Sequence, residues 1–154
     1  MIHTIFTILI LLSTWASASA NNRVTLDYNG LTVGSLMKSE INNDCGCSFF
    51  TPPDKKGNGS EVLQWADGES AHMFIDKHLV SLNVETSMPY VSHLNQHVSL
   101  FLKGTGIEVT GKLSSSFVCP VSSESCEVTE FTGTLHVKKG KKSASVQVWG
   151  SCGC

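Results

Sequence analysis

The chain has 154 residues, of which 41% are hydrophobic and 16% are charged, and its formal net charge is −2. This length suits one compact domain and leaves little room for two, and the apolar content excludes a disordered chain. The small net charge excludes a strong electrostatic field over the whole molecule, so we expect neither nucleic acid nor an anionic membrane as a partner.

Residues 1–20 have the features of a secretory signal peptide. An almost uninterrupted apolar run over residues 5–15 is followed by Ala18 and Ala20, which satisfy the rule for small residues at a cleavage site. The apolar run is too short to span a membrane comfortably, and we expect no membrane span after cleavage. The sequence therefore predicts a single mature domain, residues 21–154, that is secreted or periplasmic.

The mature chain has the composition and spacing of short β-strands separated by tight turns. Asn29-Gly30 is a strong hairpin signal because both residues tolerate positive φ angles. Further along, Val80, Leu82 and Val84 alternate with polar residues, which is the period-two pattern of a half-buried strand. The same criteria predict about nine strands, at residues 24–28, 31–33, 62–65, 73–75, 78–85, 98–102, 107–118, 126–138 and 143–152. The sequence therefore predicts an all-β domain, either a small antiparallel sandwich or a barrel with mostly meander connections.

Other segments give weaker signals. Residues 34–42 and 88–96 have apolar spacing that would suit two short helices. The polar Gly/Pro segment 52–60 predicts a flexible loop, and it contains the sequon Asn58-Gly59-Ser60. That sequon is a glycosylation acceptor only in a eukaryotic secretory pathway, and a plain turn is the alternative. On the predicted strand over 107–118, one apolar face is expected to contain Ile107, Val109, Leu113 and Phe117.

Two Cys-Gly-Cys triplets, at 45–47 and 152–154, lie near opposite ends of the mature chain. In a strand, residues i and i+2 face the same side, so each triplet projects two sulfur atoms together. The first triplet shares its face with Phe49, and the second continues the apolar face of Val146 and Val148. Both pairs of sulfurs are therefore predicted to face the core. The intervening glycines leave the opposite face bare, which permits another strand or loop to approach closely.

The pairing of the cysteines follows by elimination from their spacing. Six cysteines allow fifteen pairings, and a bond within a triplet is disfavoured because extended i and i+2 side chains are splayed apart. Cys119 and Cys126 bracket a loop between two predicted strands, so we pair them. Antiparallel alignment of the two triplets then favours two further disulfides, Cys45–Cys154 and Cys47–Cys152.

Three hypotheses account for a cluster of the four triplet cysteines. The first is a pair of structural disulfides, which an oxidising compartment favours and which would tie the ends of the domain together. The second is a metal site in which four thiolates hold Cu(I) or Zn²⁺, with a spacing shorter than that of common zinc sites. The third is a redox-active site, which the expected burial of the sulfurs and the lack of a Cys-x-x-Cys motif disfavour. The metal site would use Cys45, Cys47, Cys152 and Cys154.

The remaining chemistry-bearing residues favour structural roles. Lys138–Lys142 predicts a basic turn that keeps the protein soluble and protects a sheet edge from pairing. Trp65 and Trp149 are expected in the core or at its rim, and the acidic residues at turns or on polar strand faces. We expect the histidines of the mature chain at the surface, at strand ends; they are His72, His78, His93, His97 and His136.

The sequence contains none of the familiar catalytic motifs. It has no G-x-S-x-G, no P-loop and no dinucleotide-binding fingerprint. These observations favour an exported, non-enzymatic, disulfide-stabilised β module without a cofactor. Such a module would act by binding an unidentified protein or small molecule, or as a cell-envelope component. A metal-binding protein and a thiol–disulfide protein are the two alternatives.

Overall fold

The computed structural model describes residues 23–28, 30–41, 45–54, 57–86, 88, 90–120 and 126–154. The predicted signal peptide and its cleavage site lie outside these residues. Strands account for 62% of the described residues, and all pairs of strands are antiparallel. This confirms the predicted all-β class. Within the described part, no helix has the length and apolar character needed to cross a membrane.

In the described part of the chain, ten strands and one short 3-10 helix follow one another. The helix spans Lys38–Glu40, within one of the two segments for which helical spacing was predicted, and the described residues of 88–96 form no helix. The strands are β1 Thr25–Tyr28, β2 Leu31–Gly34, β3 Gly46–Phe50, β4 Glu61–Ala66, β5 Ala71–Ile75, β6 His78–Val84, β7 His97–Gly104, β8 Ile107–Phe117, β9 Val128–Lys139 and β10 Lys142–Gly153. The strand that the predicted set lacks is β3, which contains part of the first Cys-Gly-Cys triplet.

Strands β3 to β10 form a closed eight-stranded barrel rather than a sandwich. Each pairs with the next in the sequence, and β10 pairs with β3 to close the ring. We call the β3–β10 pair the closing seam. The predicted meander is therefore correct for these eight strands. Along each strand, side chains that face inward alternate with side chains that face outward, and the inward ones fill the barrel. On β10 the inward side chains include Ala144, Val146 and Val148.

The β1–β2 hairpin departs from the meander. Strand β2 pairs with the end of β5, on the same edge as β4, and the buried side chains of Leu31 and Val33 extend the core there. Gly30, in the turn, has a φ of +80°, which favours glycine. The hairpin reaches the start of β10, where the Lys142 ammonium donates a hydrogen bond to the Gly30 carbonyl at 2.7 Å. The hairpin thus covers one end of the barrel, which we call the closed end.

An ion pair also spans the closed end. Lys139, at the end of β9, donates a hydrogen bond to the Asp76 carboxylate on the β5–β6 turn at 2.8 Å. The Asp76 carboxylate also accepts a bond from the Thr32 backbone N–H, and these two contacts hold the pKa of Asp76 below its usual value. The basic turn at 138–142 was predicted only to solubilise the protein and protect an edge. Two of its lysines instead fasten elements across the barrel end.

One side chain on β8 faces the opposite way to the prediction. Ile107, Val109 and Leu113 are buried, but Phe117 is 41% exposed. The register between β8 and β9 shifts between Ser115 and Phe117, and this irregularity reverses the direction of the side chains beyond it. Ser115, which precedes the shift, keeps the regular alternation of β8 and is buried.

The loop over 52–60 is described except at residues 55 and 56. The Asp54 N–H donates to the Asn58 carbonyl, and the Asn58 N–H donates to the Asp54 carboxylate, each at 3.0 Å. At the base, Thr51 and Ser60 exchange hydrogen bonds. Asn58 is exposed. The flexibility of the loop stays a prediction, and so does the plain turn that the sequence favours over a glycosylation acceptor at Asn58.

Candidate functional site

The two Cys-Gly-Cys triplets meet at the closing seam. Cys47 on β3 lies directly opposite Cys152 on β10, and the two form a disulfide with a Cα–Cα distance of 4.1 Å. One step further along the same ladder, Cys45 and Cys154 form a second disulfide, with a Cα–Cα distance of 4.4 Å. We call these two bonds the clamp. The pairs are the ones that strand parity and antiparallel alignment predict.

The two bonds of the clamp differ in burial. Cys47 is 5% exposed and belongs to the core cluster, whereas Cys45 and Cys154 are exposed. The sequence-based expectation that all four sulfurs are buried on the core side is therefore wrong for the outer bond. The reason is that the outer bond lies past the ends of the flanking strands, where the barrel opens to solvent.

The third disulfide joins the ends of the β8–β9 connection. Cys119 and Cys126 are bonded, with a Cα–Cα distance of 5.5 Å, as the sequence predicts for residues that bracket a loop between two strands. Residues 121–125, which lie between them, are outside the described part of the chain. This bond closes a short loop, so it constrains the unfolded chain less than the clamp does.

Glycine is required in the middle of both triplets. A Cβ atom at Gly46 would collide with the backbone of Trp65 on β4, and one at Gly153 would collide with the Glu127 carbonyl. The predicted close approach of another chain segment is therefore confirmed. Because the clamped strands carry no side chain at these points, the neighbouring backbones can pack directly against the seam.

The clamp lies beside the open end of the barrel, where a cavity of about 780 Å³ enters the interior. We call this cavity the cup. The inner bond of the clamp forms part of its wall, and buried Trp65 and Phe131 lie at its base. The lining comprises Gly46, Cys47, Trp65, Asp67, Gly68, Glu69, Ser70, Asn83, Val84, Met88, Tyr90, Val91, Thr129, Phe131, Cys152 and Gly153. Concave sites of this size with an apolar base are the usual form of ligand pockets, and barrel ends are a common location for them.

The β6–β7 connection forms one side of the cup. Val91 from this connection is 5% exposed and packs into the core, whereas Tyr90 is 84% exposed at the rim. The connection is held by the buried Ser115 hydroxyl, which donates to the His93 carbonyl at 2.8 Å and accepts from the Gln96 N–H at 3.0 Å. The inward-facing Ser115 of β8 thus contributes to the site, because its hydroxyl fixes the wall of the cup.

The rim of the cup is acidic. Asp67 and Glu69 lie on the β4–β5 turn, and among the described lining residues no lysine or arginine opposes them. The turn is held to the clamp, because the Asp67 N–H donates to the Cys45 carbonyl at 2.9 Å. Glu85 follows the end of β6, and Glu127 precedes the start of β9; both of these strand ends lie at the same opening. The cup therefore combines an apolar base with negative charge at its entrance.

A separate polar cluster lies on the outside of β4 and β5. Arg23 makes a two-point contact with Glu40, with both N···O distances at 2.9 Å, and its guanidinium lies 3.5 Å from the centre of the Phe74 ring. The hydrogen bond from Arg23 lowers the pKa of Glu40. Glu61 has the opposite shift, because burial raises its pKa and one of its carboxylate oxygens has no hydrogen-bond partner. This cluster fastens the 3-10 helix segment to the barrel wall.

The histidines are only partly where the sequence places them. His78 and His97 are exposed first residues of strands, as predicted. His136 is exposed in the middle of β9, where its Nδ1 lies 2.9 Å from the Ser145 hydroxyl. The prediction of a surface position at a strand end is wrong for His72. This residue lies inside β5, and its Nδ1 is buried without a hydrogen-bond partner.

The cysteines of the clamp are the residues that could hold a metal ion, but only as reduced thiolates. In the oxidised form, no group of three or more His, Cys, Asp or Glu side chains in the described part of the chain could hold one. Reduction of both bonds would leave four thiols on two adjacent strands. The Cu(I) or Zn²⁺ hypothesis therefore applies to a reduced form of the protein and stays a prediction.

An exposed aromatic pair lies on the outer surface. Trp149 on β10 stacks on Phe50 with a ring distance of 5.0 Å, and its indole N–H donates to the Thr51 carbonyl at 3.1 Å. Trp149 is 43% exposed, whereas Trp65 is 5% exposed at the base of the cup. The two tryptophans that the sequence could not distinguish thus have different positions, one outside the barrel and one inside.

Sequence reasoning missed the cup as a site. Its base joins Trp65, directly opposite Cys47 in the β3–β4 register, with Phe131 from β9. Their convergence depends on the ring closure, which no local pattern indicates. The chain matches no protein-family model, no curated protein and no solved structure.

Proposed function

We propose that this protein is an exported, non-enzymatic binding module whose ligand occupies the cup. The observation that carries this proposal is the cavity of about 780 Å³ at the open end of a barrel whose other end is covered. A ligand with an apolar body would bury surface against the partly exposed side chains of Val84, Met88 and Cys152. Such burial contributes about 25 cal/mol for each Å² removed from water.

The rigidity of the cup supports this function. The clamp fixes one wall, and the Ser115 hydrogen bonds fix the connection that carries Val91. A pocket that is already formed loses less conformational entropy when a ligand enters it. The disulfides themselves are typical of an extracellular type of domain, since such bonds persist in oxidising compartments. We therefore place the binding function in the secreted or periplasmic space.

The proposal can be tested with a neutral apolar fluorophore. N-phenyl-1-naphthylamine fluoresces strongly only when it leaves water, so titration of the mature domain should give a saturable increase with one site per chain. Thr129→Trp would fill the cup from the inner face of β9. We expect this variant to lose the fluorescence increase while it keeps the far-UV circular dichroism spectrum of the parent protein.

The matched control is Ser143→Trp, which adds the same side chain at an exposed position near the closed end. This variant should bind the fluorophore as the parent does. A fluorescence increase that is not saturable, or that Thr129→Trp leaves unchanged, would show that the cup is not the binding site.

A second candidate function rests on the exposed bond of the clamp. Cys45–Cys154 lies at the surface, where a thiolate from another molecule can reach it. The function would then be thiol–disulfide exchange or, after reduction of both clamp bonds, binding of Cu(I) or Zn²⁺. Thiol counting and metal analysis of the native protein test it. If all six cysteines stay disulfide-bonded in millimolar glutathione and the protein contains no metal, both thiol–disulfide exchange and metal binding are contradicted.

A further inference from the structure

The charged residues of the barrel are divided between its two ends. Among the described residues, the acidic side chains of the open end are Asp67, Glu69, Glu85 and Glu127. The lysines of the closed end are Lys77, Lys103, Lys138, Lys139, Lys141 and Lys142, and Asp27, Asp76 and Glu108 offset part of their charge. The small net charge of the chain therefore conceals a strong separation of charge along the barrel axis. A field of this kind draws cations towards the open end.

The interior of the cup suits an apolar body rather than a bare metal ion. Trp65 and Phe131 are 5% and 2% exposed, and Val84, Met88 and Val91 line the wall above them. The partly exposed side chains of Val84 and Met88 offer apolar surface against which such a body would be buried. The two carboxylates are confined to the rim, on the β4–β5 turn. The order from the base outward is thus aromatic, aliphatic and then anionic.

We propose that the ligand of the cup is an organic cation, an ammonium group attached to an apolar body. The body would enter the cup, and the ammonium group would stay at the rim beside Asp67 and Glu69. This inference rests on the proposed binding function and specifies the chemical class of its ligand. The Asp67 N–H donates a hydrogen bond to the Cys45 carbonyl, so the clamp holds the turn that carries the two carboxylates in place.

The expected selectivity follows from Coulomb's law. Each carboxylate at about 6 Å from the ammonium group, in surroundings close to water, contributes about threefold in affinity. Two such carboxylates together give about tenfold. The interaction should weaken as salt is added, because the screening length falls to about 10 Å at 0.1 M ionic strength and to about 3 Å at 1 M.

Three naphthalene probes of the same shape separate the charge of the head group from the apolar body. They are 2-naphthylmethylamine, 2-naphthalenemethanol and 2-naphthoate, each used to displace N-phenyl-1-naphthylamine from the mature domain at pH 7 and low salt. The amine should bind about tenfold more tightly than the alcohol, and the carboxylate should bind less tightly than the alcohol. At 1 M salt the three affinities should converge.

A double variant assigns the selectivity to the rim. Asp67→Asn with Glu69→Gln should lower the affinity for the amine to that for the alcohol and leave the affinity for the alcohol unchanged. Glu108→Gln, at the closed end, is the matched control and should change neither.

The two proposals fail differently in this experiment. If the alcohol displaces the fluorophore but the amine binds no better, the cup is a binding site and the cationic ligand class is wrong. The same conclusion follows if the double variant weakens both probes equally. If the fluorophore binds but no naphthalene probe displaces it, the cationic ligand class is wrong. If the fluorophore itself shows no saturable binding that Thr129→Trp removes, the proposed binding function is wrong, and the ligand class with it.

Discussion

Replacement of the outer clamp bond alone should destabilise the domain far less than replacement of the whole clamp. With Cys47–Cys152 intact, Cys45–Cys154 closes a ring of only about six residues, which in the chain-entropy model stabilises by about 2 kcal/mol. The inner bond joins residues separated by 105 positions. Closing a loop of that length contributes about 5 kcal/mol, so loss of both bonds should cost about 7 kcal/mol. A typical domain has only about 5–15 kcal/mol of stability.

Urea unfolding of the mature domain, followed by tryptophan fluorescence, measures these differences. The variants are C45A/C154A and the quadruple alanine variant of the clamp. Alanine is used because Cys47 is buried and a serine hydroxyl there would add its own desolvation cost. C119A/C126A is the control, since its sequence separation of seven predicts a loss of about 2.5 kcal/mol. If the outer bond alone costs as much as the whole clamp, loop closure does not explain the stabilisation.

Three further predictions concern single residues. Burial raises the pKa of Glu61, so its stabilising contribution is lost as the pH rises through the folded-state pKa. Glu61→Gln should therefore increase the free energy of unfolding at pH 7 and have no such effect below about pH 4. The pKa of Asp76 is lowered by Lys139, so its contribution is present above the unfolded-state pKa and is lost as the pH falls through the folded-state value. Asp76→Asn should cost less than about 1 kcal/mol at neutral pH, and urea titrations should show this difference shrinking progressively as the pH falls below about 4. Gly46→Ala should lower the unfolding free energy by about 1–3 kcal/mol, because its Cβ would collide with the Trp65 backbone; an unchanged urea midpoint would contradict that collision.

Local patterns were sufficient for most of the barrel. The alternation on β8, β9 and β10 predicts three consecutive antiparallel strands, and the structure contains them. The two Cys-Gly-Cys triplets also predicted contacts between distant parts of the chain, because side-chain parity and antiparallel alignment together specify which cysteines face each other. These signals succeed because the period of two along a strand is fixed by backbone geometry.

What the sequence could not predict depends on how distant segments close on one another. The choice between sandwich and barrel, the return of β2 to β5 and the reversal of Phe117 are set by tertiary contacts and by an irregular register. The cup is lined from both sides of the closing seam, which only the closure of the barrel brings together. The sequence alone also did not predict the charge separation. Glu127 and Lys139 lie at the two ends of one segment, and they reach opposite ends of the barrel only because that segment forms the extended strand β9.

The closing seam has a consequence for how two copies of this chain behave before their sulfurs are oxidised. Among the described strands of the barrel, β3 and β10 are the only paired neighbours that are not consecutive in sequence. An open seam exposes residues 149–153 of β10, whose backbone groups then lack their partners on β3. The β3 strand of a second copy offers the same partner groups, so the two chains can exchange strands and link together. Formation of Cys47–Cys152 within one chain removes that option by fixing β10 to its own β3. The protein concentration at the moment of oxidation therefore selects between self-closed barrels and interlinked chains.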